Sequence, residues 1–223
     1  MKSLILALTL LLPQFVFAGS SSVVIAVRYT PDAPAVRLQM QADYVAIPIT
    51  IHNDSKDPIK RADEIEKSIH LITDKVKQHA NLTVRPGVVS LSPQDKSLIK
   101  KFSSYDSYEE SSGYLYILGN LKQDTTVFEI TKQVYQVIDA ISLTNGTKVT
   151  LGNTSLGLND PEKYRTQLLE LISKSIDETK KALNVNGSIE LDGLESSVAV
   201  MQLNEREVLV FINYRLQIQT KPI

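Results

Sequence analysis

The sequence predicts an α+β fold: three amphipathic helices packed on a mixed or antiparallel sheet, with the order β-β-α-β-β-α-β-α-β-β along the chain. Two observations carry this. Three stretches repeat apolar residues at intervals of three and four behind a helix-start signal, and the runs between them alternate in polarity or are rich in β-branched residues. Hairpin-like pairs of runs are mixed with the helices, which separates the chain from a doubly wound parallel sheet.

The chain opens with one positive charge, Lys2, and a short apolar run from Leu4 to Leu12 that Pro13 ends. Val16-Phe17-Ala18 then supplies the small residues a signal peptidase requires, so residues 1–18 read as a cleavable signal peptide and residues 19–223 as the mature domain. The apolar run falls short of the roughly 20 residues that span a bilayer. Export is therefore the expectation, with no transmembrane segment after cleavage. The absence of any Cys points to a bacterial periplasm or medium rather than a disulfide-rich eukaryotic secretory route. Asn-x-Ser/Thr sequons stand at Asn81, Asn145, Asn153 and Asn186, a low bar in a chain rich in these residues.

Val23 to Tyr29 and Val45 to Ile51 read as the first two strands. Pro48 lacks a ladder donor, which places it at a sheet edge or beside a bulge. The first helix starts at Asp57-Pro58, a capping side chain followed by proline at the first helical position. Its stripe is Ala62, Ile65, Ile69, Ile72 and Val76, with Lys60, Arg61, Asp63, Glu64 and Lys67 around the solvated remainder. Leu82 to Leu91 is a strand interrupted at Pro86-Gly87, and Tyr114 to Leu121 is the next.

The second helix starts near Asp124-Thr125-Thr126, where Thr126 and Glu129 have capping-box spacing. Val127, Ile130, Val134, Val137 and Ile141 form its buried face, and Thr144-Asn145-Gly146 ends it. Thr147 to Leu156 is a strand. Asp160-Pro161-Glu162 repeats the opening of the first helix and leads through Leu168, Ile172 and Ile176 to Leu183. Glu170/Lys174 and Asp177/Lys181 are spaced as ion pairs on its outer face. Ser197 to Leu203 and a long alternating run form the closing hairpin around Asn204-Glu205-Arg206. That run puts Val208, Val210, Ile212, Tyr214, Leu216 and Ile218 on one face.

Formal net charge is −1, with 24 basic residues interspersed among 25 acidic ones, so neither nucleic acid nor an anionic membrane surface is an expected partner. Catalytic arrangements are equally absent from the pattern. There is no Cys nucleophile, and Gly152-Asn153-Thr154-Ser155-Leu156-Gly157 has its glycines in the wrong places for a serine nucleophile turn. The three histidines are His52, His70 and His79, and the last two are nine residues apart, on opposed sides of a helix. No catalytic residue, cofactor site or metal site is assigned, and the expectation is a protein that is not an enzyme.

The candidate interaction surface is the tyrosine cluster Tyr105, Tyr108, Tyr114 and Tyr116, since tyrosine is common at interfaces. Tyr114 and Tyr116 also suit one filled face of a strand. The polar segment 92–113 around them reads as a mobile tip or a partner-binding surface.

The ordered series of elements resembles the SIMPL-domain family of exported bacterial proteins. The stretches that carry the resemblance are Val149-Thr150-Leu151-Gly152, then Leu156-Gly157-Leu158-Asn159-Asp160-Pro161-Glu162, and Ala182-Leu183-Asn184-Val185 at the end of the helix that follows. Val88-Val89-Ser90-Leu91-Ser92-Pro93-Gln94, the run from Gly113 to Ala140, and the closing strand from Val208 to Gln219 are similar as well, so the likeness spans roughly residues 23–219. The third helix departs from it, carrying Leu, Ile, Ser and Lys where the family is rich in Ala and Arg, and so does Asp32-Ala33-Pro34. The resemblance implies a SIMPL-like domain over residues 19–223 and a periplasmic or secreted location. It further implies no catalytic motif, a link to oxidative-stress tolerance in some relatives, and large homo-oligomers in others. A self-associating, non-enzymatic envelope protein is the leading expectation; a periplasmic binding module for a small ligand or envelope partner is the alternative.

Overall fold

A computed structural model describes residues 23–25, 34–91, 111–144, 146–184 and 188–219. Residues 1–18, and with them the signal-peptide reading, lie outside the described residues. The class is α+β, as the sequence predicts: three helices with antiparallel sheets.

The largest sheet is built around β3 (Tyr44–Asn53), whose alternation gives it two faces. Val45, Ile47, Ile49 and Ile51 point into the main core, while Tyr44 and Ala46 belong to a separate cluster on the opposite face. On one side β3 pairs along its length with β5 (Ser112–Asn120), and beyond β5 lies β4 (Leu82–Ser90). On the other side it pairs with β6 (Thr147–Leu151) and β7 (Ser155–Asn159), and β7 pairs with β1 (Val23–Ile25).

Pro48 stands in this central strand, beside a bulge. Its carbonyl accepts from the Gly152 N–H at 2.8 Å, so its nitrogen, which has no hydrogen, faces the same side. There β6 gives way to β7, with Gly152, Asn153 and Thr154 opposite only Ile47 and Pro48. The missing donor therefore meets an interruption, and no ladder bond is lost to it.

α1 (Pro58–Val76) and α2 (Val127–Asp139) cover the core face. The Asp57 carboxylate caps α1 by accepting from the N–H groups of Ile59 and Lys60, and Thr126 and Glu129 form the reciprocal capping box of α2. α2 ends at Asp139, five residues before the expected Thr144; Gly146, at φ +87°, serves the turn into β6 instead. The buried stripe of α1 also departs from expectation. It runs through Arg61, Glu64, Ile65, Ser68, Ile72 and Val76, so two side chains expected in solvent lie inside.

The third helix, α3 (Arg165–Leu183), starts later than Asp160. Asp160 sits at φ +48° and makes no capping bond; a 3-10 turn, Pro161–Tyr164, intervenes. A left-handed residue turns the chain away from β7, and its carboxylate is then not aimed at the first helical N–H groups. Leu168, Ile172 and Ile176 face the core, and Asn184, left-handed at φ +49°, ends the helix. Neither expected pair forms on its outer face; Lys174 Nζ instead lies 4.0 Å from Glu178.

The closing run is divided. β10 (Glu207–Phe211) ladders with β2 (Leu38–Gln41) and, as predicted, with β9 (Ala199–Gln202) as a hairpin. β11 (Arg215–Gln219) pairs with β8 (Ser188–Asp192) in a separate two-stranded sheet. The strand expected to be continuous thus changes sheets over Ile212–Tyr214. The run from Thr147 to Leu156, expected as one strand, is likewise two, β6 and β7, and β2 and β8 are strands beyond the predicted order. Among the described residues, members of three sheets and three helices meet in one apolar core.

Candidate functional site

The tyrosines on β5 follow from its alternation. Leu115 and Ile117 enter the core, so Tyr114 and Tyr116 share the opposite face of the sheet. Tyr116 stands opposite Pro48 on one side and Arg85 on the other, and packs on the cluster of Tyr44, Ala46 and Leu118. That end of the face is closed. The Tyr44 ring lies across Gly157, where an added Cβ would come within 2.3 Å of it, and its hydroxyl donates to the Leu158 carbonyl at 3.2 Å.

Towards the start of β5 the face opens. Tyr114 is 42% exposed, opposite Thr50. Gly87 and Val88 bulge from β4 beside it, and the closeness of Gly87 to the Tyr114 carbonyl leaves no room for a Cβ (2.7 Å). Three apolar side chains follow on or just past the same strand: Val88 (72% exposed), Val89 (49%) and Leu91 (53%). Among the described residues no strand pairs with the outer side of β4. Pro86 and the bulge blunt the middle of this edge, the usual protection against indiscriminate strand addition, while Val88, Val89 and Leu91 make its far end apolar. Tyr105 and Tyr108 lie outside the described residues, so only Tyr114 and Tyr116 are brought together here.

A second feature carries no signal in the sequence pattern. Beneath the start of β5, Arg61 of α1 is buried; its Nε donates to Ser111 Oγ (2.9 Å) and its Nη1 to the Ser55 carbonyl (2.7 Å). One turn on, Ser68 Oγ donates to the Glu64 carbonyl at 2.7 Å, and Lys67 Nζ lies 3.7 Å from Glu64 Oε1. Glu64 Oε2 is buried without a hydrogen bond among the described residues. The group ties the entry of α1 to the residues from which β5 emerges.

A third feature is a cleft of about 390 Å³ between α3 and the β8–β11 sheet. Its floor is aliphatic, from Leu169, Ile172 and Ile176 on the helix and Ile189, Leu191 and Leu194 opposite, and Ser173, Asp177 and Lys180 complete its lining.

The histidines do not converge. His70 Nε2 lies 3.9 Å from Glu66 on the surface of α1, and His79 Nδ1 lies 3.3 Å from the Gln133 amide. Among the described residues no group of three or more His, Asp or Glu side chains is placed to hold a metal ion. No helix among them is long and apolar enough to cross a membrane. No protein-family model matches the chain, and no curated protein sequence matches it.

Proposed function

We propose that this chain is an exported, non-enzymatic envelope protein of the SIMPL type, periplasmic or secreted, that assembles with further copies of itself. The observation that supports assembly is the apolar end of β4: Val88, Val89 and Leu91 exposed beside Tyr114 on the outermost described strand. An edge that offers unpaired backbone groups and apolar side chains together is a ready surface for a second chain. Because Pro86 and the bulge interrupt the edge, side chains of the Val88–Leu91 end would carry the contact rather than a long shared ladder. The SIMPL assignment rests on the ordered likeness of elements, and export on the leader-like residues 1–18. An association with oxidative-stress tolerance belongs to the same assignment.

The test is the absolute mass of residues 19–223 by light scattering behind a sizing column across a range of concentrations. A discrete multiple of the monomer mass is expected, reduced to monomer by the pair Val88→Lys and Leu91→Lys with the melting temperature unchanged. A monomer at every concentration would sink the proposal.

A further inference from the structure

The cleft between α3 and the β8–β11 sheet lies apart from the tyrosine-bearing face and is built differently. Its floor is six aliphatic side chains with no aromatic ring, an extension of the main core, and it falls within the volume range of small-molecule sites. A floor of Leu and Ile suits a flexible saturated chain better than a flat ring, which would seek an aromatic partner.

The polar side of the cleft is equally particular. Ser173, Asp177 and Lys180 stand at i, i+4 and i+7 of α3, one line along the helix. Asp177 is exposed, and Lys180, which also lines the cleft, is half-buried, as suits an apolar stem that ends in a charge. Among the described residues neither belongs to an ion pair. A purely anionic head would gain Lys180 but meet Asp177, and a purely cationic head the reverse. A head carrying both charges satisfies the two at once. Among the described residues the β8–β11 sheet has two strands, a unit of marginal stability by itself, so of the two walls it is the one better able to yield to a chain.

We infer that this cleft is a binding site for a single-chain zwitterionic amphiphile, an alkyl chain whose head carries a phosphate and an amine. The alkyl chain lies along Leu169, Ile172, Ile189 and Leu191, the amine faces Asp177, and the phosphate faces Lys180.

The test is calorimetric titration of residues 19–223 with dodecylphosphocholine below its micelle concentration, beside dodecanoate and dodecyltrimethylammonium. Dodecylphosphocholine is expected to bind one-to-one and about fivefold more tightly than either singly charged chain, the scale of one exposed charge interaction. Asp177→Lys, a change at an exposed position, should move the preference to dodecanoate by about the same factor. Ser173→Trp should fill the cleft and weaken all three by about tenfold or more. Absence of binding would overturn the inference. So would equal binding of the three heads with no response to Asp177→Lys, or full binding by Ser173→Trp. If dodecylphosphocholine instead splits an oligomer in proportion to its binding, the cleft is a contact between copies and the inference also fails. The mass measurement on the Val88→Lys and Leu91→Lys pair is made without amphiphile, so the two proposals fail separately.

Discussion

Glu162 and Arg165 close a small clasp at the entry of α3. Arg165 holds the Glu162 carboxylate at 2.7 and 3.2 Å and donates to the carbonyls of Leu194 (2.9 Å) and Ser196 (2.7 Å), while Glu162 Oε1 accepts the Val198 N–H at 2.8 Å. These bonds, Arg165 first and Val198 second, hold the Glu162 carboxyl below its ordinary pKa. A depressed carboxyl stabilises the fold when ionised. That contribution is complete above the unfolded value, about 4.3, and is lost as pH falls through the lower folded value. Both side chains are partly exposed, so solvent limits the effect to about 1 kcal/mol or less. Urea midpoints followed from about pH 6 to about pH 3 should therefore fall more steeply for the wild type than for Glu162→Gln. Parallel curves would mean that the clasp contributes nothing. Pattern reading reached Glu162 only as part of a helix start, because the groups that complete the clasp, Val198 for Glu162 and Leu194 and Ser196 for Arg165, lie 29 to 36 residues away in a segment with no periodicity. Arg61 and Glu64 were illegible for a different reason: a charged residue reads as solvated, and only the packing of α1 under Ser111 shows otherwise.

At the scale of elements, the helices were legible where a cap and a stripe agree, as at Asp57 and Thr126, and less so at Asp160, where the same dipeptide stands on a left-handed backbone. β2 and β8 are four and five residues long, too short for alternation to stand out. The division of the closing run was hidden because one alternation continues across a change of sheet. The pairing of β7 with β3 depends on a contact that no periodicity announces, the Tyr44 ring over Gly157. Gly157→Ala would force that ring out of place and should cost about 1–3 kcal/mol. With Tyr44→Val already present the obstacle is gone, so a double-mutant cycle by urea unfolding should show a coupling of about 1 kcal/mol or more. Additive costs would mean that Gly157 is needed for some other reason.

For the whole molecule, the decisive fact is that the three sheets and three helices among the described residues share one core. Val45 and Ile49 of the large sheet, Val200 and Val210 of the second, Ile130 of α2 and Ile172 of α3 belong to the same buried cluster. With so many elements meeting in one cluster, unfolding one piece exposes apolar surface on the others, so stability is shared and the main body should unfold as a unit. The β8–β11 sheet is the exception. It has two strands, its Ile189 and Leu191 are only partly buried against the core, and the cleft separates it from α3. Local opening should begin there. Calorimetry should give a single transition whose calorimetric and van't Hoff enthalpies agree, while amide exchange in Ile189–Asp192 and Arg215–Gln217 runs well ahead of exchange in Val45–Ile51. Two separated transitions would divide the core that the packing joins. Equal protection of the two regions would make the β8–β11 sheet a rigid part of that core, and the cleft beside it would then lack the yielding wall that admits a chain.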